Sequence, residues 1–359
     1  MIKRSQKTGI VIFLIVAVGL AVFFVSRPAD KKISPGASPI TPSKTLPAQT
    51  LLNDDGYYVH QTFNNCGEAA LSMDLSFYGI HESQQALADI LRPDNNTTGK
   101  NDDKSTPPDE IAAQAETYGL VAYFRPNGNI SLLQHLVAAG FPVMTRTLLN
   151  TSEDYAHYRV IKGYNIAAGT IIDEDGIQGE NVAFSYNDFL TLWKPFNYEY
   201  LVFASPAQQT ELESILGADV DASTAWAAAA QTATQALAVD PNDTAAEFDL
   251  SVADYYTGDY ASSVQMFEKT GSALSEHALW YQLEPIESYY VLGDYAKVFS
   301  LAQSILSNGD SVYPELYVIE GESYLKEGDT ADAKSAFETA LQYNKNLKSA
   351  SDALAAMKG

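Results

Sequence analysis

The 359-residue chain contains a single cysteine, Cys66. One thiol excludes an internal disulfide framework and any multi-cysteine zinc or iron–sulfur site, leaving packing, an intermolecular link or nucleophilic chemistry as its uses. Positive charge is scarce as well: 22 Lys and Arg stand against 45 Asp and Glu, a formal net charge of −23. A chain without basic surface gains little from displacing counterions on a phosphate backbone, so nucleic acid is not an expected partner. The shortage is uneven, because residues 206–359 contain no Arg and hold 24 acidic against 7 basic side chains. Metal-binding patterns are also missing. His60, His81, His135 and His277 lack ligand spacing, and the polar stretch with Asn95, Asn96, Asp102, Asp103 and Asp109 lacks the order of a calcium loop. No metal or other cofactor is expected. What remains is a globular composition, 46% hydrophobic with 11% aromatic residues, at a length that suits two folded domains after any targeting segment.

Long apolar runs are limited to one. Gly9 to Val25 are seventeen uncharged apolar or small residues, preceded in the 1–8 tail by Lys3, Arg4 and Lys7. A run of that length suits a spanning helix better than a cleavable signal, and no Cys follows it for a lipoprotein anchor. The expectation is a single-pass transmembrane signal anchor at the cell membrane, with the bulk of the chain outside. Residues 26–50 carry Pro28, Pro35, Pro39, Pro42 and Pro47 among Ser, Thr, Ala and Lys, which reads as a linker.

The chemistry concentrates in residues 60–79, HQTFNNCGEAALSMDLSFYG. Cys66 opens an apparent helix whose apolar face includes Ala69, Ala70, Met73, Leu75 and Phe77. Asn64 or Asn65 is the expected N-cap, and the free N–H groups and dipole at that end favour thiolate over thiol. Five residues earlier, Gln61 offers a neutral donor for the oxyanion of an attacked carbonyl. A nucleophilic thiol needs a base, and His157 is the candidate. It lies in AHYRVIKGYN, whose two-residue alternation reads as a strand broken at Gly163. A second short strand, Thr170 to Ile172, ends in Asp173, which in an antiparallel hairpin can orient the imidazole; Asp175, two residues on, competes for that place.

HQTFNNCGEAAL, AHYRVIKGYN and IIDE together resemble the bacteriocin-leader-processing group of papain-like cysteine peptidases, peptidase family C thirty-nine. The resemblance covers about residues 50–205. It implies an α+β papain-like fold with Cys66 as nucleophile, Gln61 as oxyanion-hole donor, His157 as base and Asp173 as its partner. Glu68 and Glu174 stand where relatives often have Pro. No Walker-type phosphate loop is present, so a fused export ATPase is not part of this chain.

Beyond Trp193 the chain becomes rich in Ala and poor in Gly. Gly258, Gly293 and Gly328 recur at steps of 35, each followed by Asp. That period resembles the tetratricopeptide repeat, an all-α solenoid of stacked helical hairpins. The expected layout is therefore tail 1–8, anchor 9–25, linker 26–50, peptidase domain 51–205 and repeat domain 206–359. The expected function is an outward-facing cysteine peptidase acting on a peptide or protein substrate, with the acidic repeats either binding a protein partner or keeping the chain soluble. Two alternatives stay open: another acyl transfer on the same fold, such as a cell-wall amidase or transpeptidase, and an inactive anchored scaffold.

Overall fold

Alternation of apolar side chains builds one antiparallel sheet. Its strands are β1 (Gln49–Leu51), β2 (Val121–Arg125), β3 (Val143–Asn150), β4 (Glu153–Asn165), β5 (Thr170–Asp175), β6 (Gly179–Ser185) and β7 (Tyr200–Ala204). Their order is β2-β7-β3-β4-β5-β6, with β1 added to β4 beyond the end of β3. The structure is a computed structural model describing residues 45–93, 106–275, 277–307 and 312–358. The expected tail, anchor and most of the linker lie outside these residues, as does most of the polar stretch between Asn95 and Asp109. Among the described residues no helix is long and apolar enough to cross a membrane.

Successive strand residues point to opposite faces, so the sheet has two cores. Met144, Val160, Leu201 and Phe203 meet Leu71, Met73, Leu87 and Ile111 from α1 (Cys66–Ser76), α2 (Gln84–Leu91) and α3 (Pro108–Thr117). On the other face Val143, Ile161 and Val202 meet Leu133, Phe189, Trp193 and Leu212 from α4 (Ile130–Ala138), α5 (Tyr186–Trp193) and α6 (Gln209–Leu216). Helix α1 is buried from Cys66 through Leu75, which explains why its apolar spacing is not a clean stripe.

Three boundaries differ from the sequence reading. The folded chain begins before 51: Ile166 N–H donates to Ala48 O, Tyr164 Oη–H donates to Pro47 O, and β1 joins the sheet. Gly163 does not break β4, which runs on to Asn165. A Cβ there would lie 2.8 Å from Leu51 Cδ1 and 3.0 Å from Thr50 O, so glycine is needed for the close approach of β1. The first domain also runs past 205, because Leu212 and Leu216 of α6 complete its core.

From Ala222 onward the chain is helical: α7 (Ala222–Val239), α8 (Thr244–Thr257), α9 (Tyr260–Thr270), α10 (Ala278–Tyr281), α11 (Glu284–Leu292), α12 (Tyr295–Ser307), α13 (Pro314–Glu327), α14 (Thr330–Tyr343) and α15 (Lys348–Ala356). The Gly–Asp pairs make the hairpin turns. Gly258, Gly293 and Gly328 end helices in the left-handed region at φ 83, 80 and 87°. The Asp that follows each accepts from the backbone of the next helix: Asp259 from Ser262 N–H, Asp294 from Lys297 N–H and Asp329 from Asp332 N–H.

This helical region is docked on the sheet domain within one compact unit, residues Thr41–Gly359. The Trp226 ring meets Phe124 edge-on at 6.1 Å, and Arg125 donates to the Asp219 and Val220 carbonyls. Farther along, Arg92 pairs with Glu315 at 3.1 Å, and Asn344 Nδ2–H donates to Leu91 O.

Candidate active site

The thiol is delivered by α1, which packs against β4 and β5. Cys66 is the first residue of the helix and is buried, at 7% exposure. Asn65 holds the N-cap position, but its side chain makes no cap bond; its Nδ2–H donates to Thr62 Oγ1 at 2.7 Å. Backbone N–H groups and the helix dipole thus remain the features that favour a thiolate here. Gly67 must be small, since a Cβ would approach the Ile111 side chain to 3.2 Å and Tyr158 to 3.5 Å. Glu68 is buried and accepts from the Thr106 hydroxyl.

His157 lies in β4 opposite Thr147 of β3 and is 2% exposed. Its Nε2 is 2.9 Å from Asp175 Oδ1. The sequence reading gave this place to Asp173, and the structure corrects it. Lys162 is an extra residue in β4, where the register with β5 shifts between Ile161 and Gly163. The shifted register sets Asp173 opposite Ile161 and Asp175 opposite Arg159, hence diagonal to His157. Asp173 instead faces the Arg159 guanidinium, with Nε at 3.5 Å.

The two carboxyls are electrostatically different. Burial pushes Asp173 well above the ordinary carboxylate value despite the opposing charge of Arg159. Burial acts on Asp175 in the same sense, but the hydrogen bond and charge of His157, with Arg159, bring it down to about 2. Asp175 Oδ1 also accepts from the Ile177 and Gln178 backbone N–H groups, each at 2.8 Å. Burial lowers His157 against the raising effect of Asp175, which leaves a neutral imidazole beside an ionised carboxylate.

Gln61 comes to the same place by its backbone. Its N–H donates to Gly176 O at 2.9 Å, and Tyr58 Oη–H donates to Asp175 O at 2.9 Å. The segment leading to the thiol is thereby tied to the turn after the His157 partner. Gln61 Oε1 is buried without a hydrogen-bond partner. Glu174 points to the other side of β5 and joins Asp54 in holding the Lys162 ammonium, a structural clamp between the loop before α1 and the hairpin. Asp175 and Gly176 are the site residues the sequence reading did not select; the DEDG run contained the signal, but two acids on one strand face cannot be ranked without the register.

Comparison with known proteins places the fold. Residues 52–201 match the Peptidase_C39 like family. The first part of the chain is therefore a C39-like α+β peptidase domain, followed by a helical C-terminal region. A C39-like peptidase from Bacillus anthracis is similar in structure at 16% identity, covering 44% of this chain and 98% of its own, with a TM-score of 0.36. The peptidase domain of Streptococcus ComA, described as a bifunctional ABC transporter of a quorum-sensing pathway, has 16% identity, the same coverage and a TM-score of 0.33. No curated protein matches the chain. The family match supports a cysteine peptidase at a general level.

Proposed function

We propose that the chain is a membrane-anchored, outward-facing cysteine peptidase in which Cys66, His157 and Asp175 form the triad and Gln61 supplies the oxyanion hole. The observation that carries this reading is the buried His157–Asp175 pair on β4 and β5, the strands against which the helix that begins at the sole thiol packs. His157 takes the proton of the Cys66 thiol as the sulfur attacks the carbonyl carbon of a peptide, Gln61 and a backbone N–H hold the developing oxyanion, and the imidazolium gives that proton to the leaving amine as the C–N bond breaks. Water, with His157 as base, then hydrolyses the thioester. Asp175 stays ionised throughout and fixes the imidazole. The helical region is a tetratricopeptide-type array, supported by its 35-residue Gly–Asp turns, and serves to bind peptide or protein.

The test is alkylation of the single thiol by iodoacetamide as a function of pH, in the full chain and in His157→Ala. The expected result is a reactive thiol titrating below the ordinary value of about 8.5, returned upward by the substitution. A thiol that reacts only on unfolding would refute the enzyme reading. Cys66→Ala should abolish peptide cleavage; Cys66-dependent turnover of amides or cross-links without peptide cleavage would select the other acyl-transfer chemistry.

A further inference from the structure

The helical region returns to the peptidase domain at the strand that carries His157. Asp154, three residues before it, bonds His277 Nδ1 at 2.6 Å and accepts from the Ser275 hydroxyl. The His277 ring stacks on Tyr155, with centroids 4.7 Å apart. Arg146 of β3 donates to Tyr281 O at 2.8 Å, and Gln282 Nε2–H donates to Pro195 O at 3.2 Å. These contacts seat Tyr281 at the part of β3 and β4 that flanks His157, since Arg146 is paired with Tyr158, and Leu148, which lines the same cavity as Tyr281, with Ala156.

Behind Tyr281 lies a cavity of about 220 Å³. Leu148 and Phe196 bound it from the peptidase domain, Ala245, Phe248 and Leu274 from the helical region. It is smaller than the roughly 300–1,000 Å³ of pockets that hold whole drug-sized ligands, a size suited to one side chain. Its walls are mainly carbon, and the carboxylate at its edge, Asp154, is already engaged by His277 and Ser275. An apolar group entering it would leave water for matching surface.

We propose that the helical region completes the substrate cleft, with Tyr281 as one wall and the cavity behind it as a subsite for an apolar side chain of the peptide near the scissile bond. This rests on Cys66 being the nucleophile. Neither domain forms the subsite alone, so specificity is written across both.

The test uses the full chain and a peptide digest of a bacterial proteome, with cleavage sites read by mass spectrometry and Cys66→Ala as blank. Wild-type sites should share one position enriched in Leu, Ile, Met or Phe. Ala245→Phe fills the cavity and should reduce cleavage at such sites by about tenfold relative to the iodoacetamide rate of the same variant. Leu274→Ala enlarges it and should move the preference toward Phe and Trp. Cleavage whose profile is the same in both variants overturns the subsite while leaving the peptidase reading intact. A thiol that alkylates as a thiolate in a protein that cleaves no peptide also overturns it. A Cys66 inert until unfolding removes the peptidase reading and the subsite together.

Discussion

At the scale of single residues the decisive contrast is between two aspartates on one strand face. Asp173 is a buried carboxyl beside Arg159 whose proton affinity burial raises, while Asp175 is ionised and bonded to His157. Replacing each with Asn separates them. Asp175→Asn removes the charge that stabilises the imidazolium and should lower kcat by about 10²–10⁴-fold, the usual range for lost acid–base function. Asp173→Asn keeps the side-chain shape at a carboxyl that makes no bond to His157 and should leave kcat near wild type. The reverse ranking in steady-state kinetics would return the role to Asp173. Gly176 gives a second prediction of this size. A Cβ there would sit 3.2 Å from Gln61 Cβ and 3.3 Å from its Oε1, so Gly176→Ala must displace Gln61, the proposed oxyanion donor, by tenths of an ångström. Since losing such a donor outright costs about 10²–10³-fold in kcat, the partial displacement should cost roughly tenfold, with little change in KM. An unaffected kcat would mean that Gln61 does not face the oxyanion.

Legibility in the sequence follows from what each residue depends on. Cys66, Gln61 and His157 stand in short motifs whose local geometry, a helix start and an alternating strand, is fixed by near neighbours. The choice between Asp173 and Asp175 depends on the unpaired Lys162, which no pattern announces. Tyr281 depends on a dock formed by residues more than a hundred positions from the strand it meets, so nothing local could point to it.

Elements show the same division. The Gly–Asp turns could be read in advance because both halves act locally: glycine accepts the left-handed conformation and aspartate caps the next helix. The domain edges could not, because β1 and α6 are added by long-range pairing and burial rather than by propensity. Gly321 shows packing within one hairpin. On α13, a Cβ at this position would stand 2.7–2.9 Å from the Phe337 ring of α14, so the two helices approach over a missing side chain. Gly321→Ala would gain helix propensity but force the ring or the helices apart. Overpacking of this kind costs about 1–3 kcal/mol, more than the roughly 1 kcal/mol gained from replacing glycine in a helix. Thermal unfolding should therefore occur at lower temperature by a few degrees. A higher melting temperature would show that the hairpin has room.

For the whole molecule, the acidity of the helical region acquires an internal use. Cations of the peptidase domain meet it along the dock: Arg92 at Glu315 and Lys194 at Asp243. The absence of Arg after residue 205 therefore complements the arginines before it. At the centre of the dock the balance runs out. Glu284 of α11 is buried and bonded to Tyr256, and it shares the neighbourhood with Glu199 and Glu287 while the one guanidinium, Arg146, is engaged by Glu199. Burial first, and then these carboxylates, raise Glu284 to about 8. A carboxyl in the unfolded chain releases its proton near the ordinary glutamate value of about 4.3. Between those values the folded state holds a proton that the unfolded state has lost, so stability must fall as pH rises through this window and level off above 8. Glu284→Gln mimics the protonated form at every pH. Relative to wild type it should melt at nearly the same temperature at pH 5 and several degrees higher at pH 8. Unfolding curves of the full chain at the two pH values decide the matter: a wild-type decline that survives the substitution unchanged would place its origin in another buried acid, such as Glu320, raised to about 7 on α13.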